Sequence, residues 1–223
     1  MQKEDTDGIF QDKTNIKALL LDAYAAGTDT TATLLEWVMA ELLKHPVVMK
    51  KAQDEVRAVL QGKNGITEED LEKMTYLKAV IKETLRLHPP LPLLVPNVAT
   101  KDVTVMGYDI AKGTQVMTNV WAIGRDPKHW DESGEFRPER FLGSSIDFKG
   151  HDFELIPFGA GRRICPGIAF AMAANENLLA ALLYKFDWKL ANGEKEEDLD
   201  MSECPGSIVR KKVPLLAVAT PRV

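Results

Sequence analysis

No proline occurs before Pro46, and from about Thr14 to His45 the chain reads as one helix, with Thr14 placed to cap its start and Pro46 to stop it. At about 1.5 Å per residue such a helix is roughly 48 Å long, far above the usual length. Its middle is unusual as well. Ala25-Ala26-Gly27-Thr28-Asp29-Thr30-Thr31-Ala32-Thr33 sets a glycine and four β-branched residues where leucine or alanine would favour the helix. The glycine alone costs about 1 kcal/mol relative to alanine. Counted at about 100° per residue, Asp22, Asp29 and Glu36 share a face with Ala18, Ala25, Thr33 and Ala40, while leucine and tryptophan take the other sides. A small, acidic stripe therefore runs along a mostly apolar helix.

Composition sets the class. A chain of 223 residues, 45% apolar and 27% charged, is an ordinary globular one with core enough to need no disulfides. The charge, 28 Lys+Arg minus 33 Asp+Glu, is −5. With no basic stripe, this argues against nucleic acid as the main partner. The two cysteines, Cys165 and Cys204, fit a reducing environment, and their spacing excludes a zinc site of the CxxC kind. The sequence holds no uncharged apolar run of roughly eighteen residues, and its N-terminus is polar, so neither a transmembrane span nor a signal peptide is read in it.

Further along, a second helix is expected from about Val47 to Leu60, ended by Gly62 and Gly65, and Thr67-Glu68-Glu69-Asp70 reads as a capped helical turn. A third runs from Tyr76 to His88, where Pro89 and Pro90 stop it. Lys101 to Val105, Tyr108 to Ile110 and Gln115 to Val120 read as short strands with turns at Met106-Gly107 and Lys112-Gly113. Residues from about Gly124 to Gly150 form an ordered meander. A Gly-rich loop, Pro157 to Gly167, leads into a helix from about Pro166 to Lys185. Phe186 to Leu190 and Val213 to Ala219 read as a strand pair. The class is mainly α with small β-sheets.

The loop Phe158-Gly159-Ala160-Gly161-Arg162-Arg163-Ile164-Cys165-Pro166-Gly167 carries the most chemistry. Cys165 stands before a helix-opening proline, where backbone N–H groups and the positive end of the helix favour thiolate, and Arg163 adds positive potential. The glycines remove side chains where a bulky, flat partner would approach the backbone. A Walker loop fails, because five residues separate Gly161 from Gly167 and no lysine follows. A dinucleotide fingerprint fails at Ile164. A cysteine nucleophile, or a buried structural cysteine, remains open.

The motif Phe158-x-x-Gly161-x-Arg163-x-Cys165-x-Gly167 resembles the haem-binding signature of the cytochrome P-450 family, the haem-thiolate monooxygenases, and its form is similar to the plant A-type branch, family 71 in particular. Ala26-Gly27-Thr28-Asp29-Thr30-Thr31, Glu83-Thr84-Leu85-Arg86 and Pro138-Glu139-Arg140-Phe141 follow the family's other signatures in order. The resemblance covers essentially the whole chain. It implies that residues 1–223 are the C-terminal, haem-binding part of a single larger domain whose N-terminal anchor and roof helices lie elsewhere. Cys165 is then the axial thiolate of heme b, with Arg163, Phe158, Gly161 and Gly167 binding the cofactor. Arg163 also becomes the main candidate for a propionate contact, since Asn97 stands where an arginine or histidine is common. Thr30 would hold oxygen species, and Asp29 would relay protons.

Glu83, Arg86 and Arg140 are implied to be a structural lock behind the haem. The implied reaction inserts oxygen from O2 into a small apolar plant metabolite, a terpenoid or phenylpropanoid. Electrons would come from an NADPH-dependent cytochrome P-450 reductase at the cytoplasmic face of the endoplasmic reticulum membrane. Gly206-Ser207-Ile208 departs from the family's substrate-touching turn, so no relative's substrate carries over. Two rivals stand beside this reading: a haem-thiolate isomerase or dehydratase, disfavoured by Asp29-Thr30, and a haem-binding part without independent activity.

Overall fold

Prolines and glycines divide the chain into its helices. In the computed structural model, which describes residues 13–222, helix α1 runs Lys13–Lys44 and α2 starts at once at Pro46, in the first-turn position where proline's missing N–H costs nothing, and runs Pro46–Val59. Thr14 therefore lies inside α1 and does not cap it. Helix α3 is Glu68–Lys73, and its start is a capping box: the Thr67 hydroxyl accepts from the Asp70 amide while the Asp70 carboxylate accepts from the Thr67 amide. Helix α4 spans Thr75–Leu87 and ends at His88, ahead of the prolines. Helix α6 spans Ile168–Lys185, after a one-turn α5 at Val120–Ile123.

The core forms where these helices converge. Leu34, Val38 and Leu42 of α1 pack with Ala52 and Val56 of α2, Leu77, Val80 and Ile81 of α4, and Leu179 and Leu183 of α6. Only the second half of α1 takes part. In its first half Ile16, Leu19, Leu20, Leu21 and Tyr24 are exposed, Tyr24 at 74%, and none of the described residues before Thr33 is buried.

The described residues also form four two-stranded antiparallel sheets. Strand β1 (Asn97–Val98) pairs with β4 (Gln115–Val116), and β2 (Val103–Val105) with β3 (Tyr108–Ile110). The β2–β3 turn sits at Met106-Gly107, both at positive φ, as the tight hairpin turn requires. Residues 118–120 are not strand: Val120 opens α5, capped by the Asn119 side chain. At the C-terminus β5 (Phe186–Leu190) pairs with β8 (Ala217–Pro221), in register Leu190 to Ala217 and Phe186 to Pro221. The partner strand thus lies nearer the terminus than the alternation of Val213 to Ala219 indicates. Between them Glu203–Cys204 (β6) and Arg210–Lys211 (β7) form a further pair, too short for periodicity to register.

The meander has almost no regular structure and is held by side chains. Arg86 uses all five of its N–H donors: Nε and Nη2 grip both oxygens of Glu83 at 2.8 and 2.7 Å, Nη1 donates to the carbonyls of Gly124 and Ser133, and Nη2 also to that of Glu135. Glu83 accepts in addition from Arg140 Nε at 3.0 Å and from the Arg137 amide at 2.8 Å. Arg140 then reaches the carbonyls of Asp131, Glu132 and Glu135. Glu83 and Arg86 are essentially inaccessible. A buried pair is tolerated in that way only when further hydrogen bonds satisfy it.

Candidate functional site

The cysteine loop owes its shape to glycine. Gly159 and Gly161 adopt φ of +77° and +71°, the left-handed region that other residues enter only at a cost. Between them the chain reverses into a 3₁₀ turn, Gly161–Arg163, closed by the Ile164 amide on the Gly161 carbonyl at 3.1 Å. The Cys165 amide then donates to the Phe158 carbonyl at 3.0 Å, joining the two limbs of the loop. Pro166 and Gly167 form a turn, and α6 begins only at Ile168. Pro166 is therefore not the first helical residue, and Cys165 stands two residues further from the helix start than expected. The reason is local: the Ala171 amide takes the Gly167 carbonyl as its first helical partner, leaving Cys165 and Pro166 outside the hydrogen-bonded ladder.

Cys165 is half-buried and unpaired in any disulfide, and Cys204 is exposed. A Cβ on Gly167 would lie 3.7 Å from Cys165 Sγ, so the glycine keeps the approach to the sulfur clear. Phe158 is half-buried and meets Phe148 edge-on at 5.7 Å. Arg162 and Arg163 are both exposed. The donor set is a single soft sulfur in a loop thinned by glycines. That suits an axial ligand to a large flat group and does not suit a polydentate metal site. Among the described residues no cluster of three or more potential metal ligands exists.

Asp29 and Thr30 lie on the exposed part of α1. The Thr30 hydroxyl donates to the Ala26 carbonyl at 2.6 Å, as Thr28 does to Tyr24 at 2.7 Å, the back-bonding that small polar residues adopt in helices. Around Gly27 the helix surface is open, with nothing within 4 Å of where a Cβ would sit. The Asp29 carboxylate receives Arg210 Nη2 from β7 at 2.9 Å, with both side chains about half exposed. The two residues stand 181 positions apart, and Arg210 as the partner of Asp29 was beyond reach of sequence reasoning. No hydrogen bond or ion pair among the described residues joins Asp29 or Thr30 to the cysteine loop, although α1 and α6 pack together. Asn97 is exposed in β1.

A second polar cluster, unforeseen in the sequence, lies buried under the C-terminal hairpin. Glu41 of α1 receives His88 Nε2 at 2.6 Å and lies 3.2 Å from His45 Nδ1. Burial acts to raise the Glu41 pKa, but the hydrogen bonds from His45 and His88 outweigh it and bring the carboxyl down to about 2. Trp37 donates its Nε1–H to the Val209 carbonyl at 3.1 Å, and the Val209 amide donates to the Pro90 carbonyl at 2.9 Å. The turn at Gly206-Ser207-Ile208 is thereby tied to α1 and to the proline segment.

The family profile described as Cytochrome P-450 matches residues 1–217. Among curated proteins, cytochrome P-450 71A8 of Mentha piperita is 61% identical over 98% of this chain and 43% of its own length. (+)-Menthofuran synthase of the same plant is 56% identical over 99% of this chain and 44% of its own length, and cytochrome P-450 71A1 of Persea americana is 57% identical over 98% of this chain. A zebra fish cytochrome P-450 structure with abiraterone superposes with a TM-score of 0.86 at 31% identity, covering 99% of this chain and 50% of that one. The chain thus spans somewhat under half the length of the curated relatives it matches. The fold agrees with the structural likeness, and the chain belongs to the cytochrome P-450 family.

Proposed function

We propose that the chain is the haem-bearing part of a plant monooxygenase acting on a small apolar metabolite, with Cys165 as the axial thiolate of heme b. The observation that carries this reading is the cysteine loop: two left-handed glycines, a backbone tie from Cys165 to Phe158, and a glycine that keeps the sulfur accessible. When bound, the haem supplies the reductive activation of O2, its thiolate favouring O–O cleavage. Phe158, Gly161 and Gly167 shape the cradle, and Arg163 offers a cation to an anionic edge. Thr30 presents a hydroxyl whose proton is parked on the Ala26 carbonyl. Asp29, steadied by Arg210, holds a carboxylate at the open surface beside it, a placement suited to passing protons from solvent. The presence of this acid and alcohol pair favours oxygen insertion over isomerisation or dehydration.

The relatives named for menthofuran synthesis and norfluorocurarine oxidation support terpenoid or alkaloid-like substrates. Electrons from an NADPH-dependent reductase, and residence of the parent protein at the endoplasmic reticulum membrane, belong to the same reading. Among the described residues no helix is long and apolar enough to cross a membrane. A second reading is favoured by the bare first half of α1: the chain alone binds haem but does not turn over, because water reaches the Asp29–Thr30 surface.

The test is to load the chain with haemin, reduce it under carbon monoxide and look for the red-shifted Soret band of thiolate ligation. The band is expected in the wild type and absent in Cys165→Ser. A wild type without it overturns the ligand assignment.

A further inference from the structure

Behind the cysteine loop lies Gly150, the last residue of the meander. It is buried and adopts φ of +82°. A Cβ there would stand 2.9 Å from Ile164 Cδ1, 3.1 Å from Ala160 Cα and 3.2 Å from the Gly159 carbonyl oxygen. The first is with the far end of the Ile164 side chain, which can turn aside, whereas the other two are with backbone, which would have to give by a few tenths of an ångström. A side chain at position 150 would therefore meet both limbs of the loop at once, Gly159-Ala160 as the chain enters and Ile164 as it leaves for Cys165.

The segment that carries Gly150 is itself anchored. Lys82 of α4 donates to the Ile146 carbonyl at 2.9 Å and lies 3.5 Å from the Asp147 carboxylate. The Asp147 amide donates to Asp152 at 2.8 Å. Phe148 meets Phe158, whose carbonyl holds the Cys165 amide. A continuous set of contacts thus runs from α4 through residues 146–150 to the cysteine.

We propose that Gly150 is a positioning residue for Cys165: its bare α-carbon is the rear stop that sets how far the loop, and with it the sulfur, stands from the helical core. The proposal rests on Cys165 being the ligand-bearing residue, but one arm of its test does not. In the haem-free chain carrying Cys204→Ser, the alkylation of Cys165 by iodoacetamide is followed by intact mass. Gly150→Ala drives the loop outward and is expected to speed alkylation by about fivefold or more, the factor that roughly 1 kcal/mol of easier opening produces. Gly143→Ala is the control, because Gly143 also has a left-handed φ, +72°, but nothing within 4 Å of a Cβ; its rate is expected to match the wild type.

Adding Ile164→Val to Gly150→Ala deletes the methyl that the new Cβ strikes and is expected to recover part of the rate. If Gly150→Ala does not fold, Ile164→Ala tests the contact from the loop side and is expected to speed alkylation. In the haemin-loaded chain under carbon monoxide, Gly150→Ala is expected to lose a large share of the thiolate band that Gly143→Ala keeps. Equal alkylation rates in Gly150→Ala, or in Ile164→Ala where that variant is needed, and in the wild type overturn the proposal. So does an equal loss of band in Gly150→Ala and Gly143→Ala. Absence of the band in the wild type overturns the ligand assignment instead, and the alkylation arm still decides the role of Gly150.

Discussion

The imidazole of His88 lies flat against the indole of Trp37, with ring centroids 4.0 Å apart and planes only 3° from parallel. Trp37 is fully buried, Lys211 Nζ lies 5.3 Å from its ring centroid, and His88 reaches Glu41 with one nitrogen while the other faces Glu203 at 3.8 Å. That distance is beyond a hydrogen bond, and His88 Nδ1 is buried without a hydrogen-bond partner among the described residues. Removing the imidazole leaves Glu41 buried with His45 as its remaining partner. His88→Leu is expected to destabilise the chain by roughly 3 kcal/mol, read from urea unfolding. His88→Leu with Glu41→Leu is expected to recover most of that loss, since no charge is then left buried; a double variant no better than the single one refutes this account.

Stability is expected to fall on both sides of a mildly acidic plateau. The hydrogen bond that His45 donates to Glu41 raises the His45 pKa above its ordinary 6.5, against the opposing effect of burial. Its contribution is therefore full below that value and lost as pH rises through the raised one. Glu41 is lowered from 4.5 to about 2, so its contribution is full above 4.5 and lost as pH falls toward 2. His45→Asn is expected to flatten the alkaline limb of the urea midpoint against pH and to move the acid limb to higher pH, because Glu41 loses one of the two imidazoles that lower it.

Arg86→Lys keeps the charge and removes two donors and the planar fork. At least two of the five hydrogen bonds that Arg86 gives to Glu83, Gly124, Ser133 and Glu135 are lost, each worth about 0.5–3 kcal/mol depending on the charge of its acceptor. The expected result is a chain that unfolds at much lower urea, or a loss of soluble protein, with Glu83→Gln milder because its amide oxygen still accepts.

Gly124 has an ordinary helical backbone, φ −64° and ψ −10°, yet a Cβ on it would lie 2.3 Å from the Arg86 carbonyl oxygen. Gly143 is the converse, strained in φ and open in space. Gly124→Ala is expected to cost roughly 3 kcal/mol through overpacking, and Gly143→Ala only about 1 kcal/mol through its backbone. Thermal melts of the two variants rank the effects; the reverse order is incompatible with the packing described.

Much of this was legible in the sequence, where signals are local. Helix ends fall within a residue or two of the prolines and glycines that mark them, and the capping box at Thr67 reads directly from its residues. The family was legible because the residues that carry the likeness are concentrated in a few short motifs, ten neighbouring residues of the cysteine loop among them. What stayed hidden depends on partners far along the chain. Arg210 meets Asp29 across 181 positions and Trp37 meets Val209 across 172. Strand β8 was displaced because its register is fixed by β5 and not by its own alternation. The start of α6 was misplaced by its proline, whose preference for the first turn yielded to the loop's own hydrogen bonds.

Arg86 carries one more consequence. A single guanidinium grips the carbonyls of Gly124, Ser133 and Glu135 together, so the stretch of chain between them has a fixed contour. Adding or deleting one residue there shifts the backbone by about 3.8 Å, more than a hydrogen bond can follow. The meander is free to change its side chains and is not free to change its length: one arginine acts as its ruler.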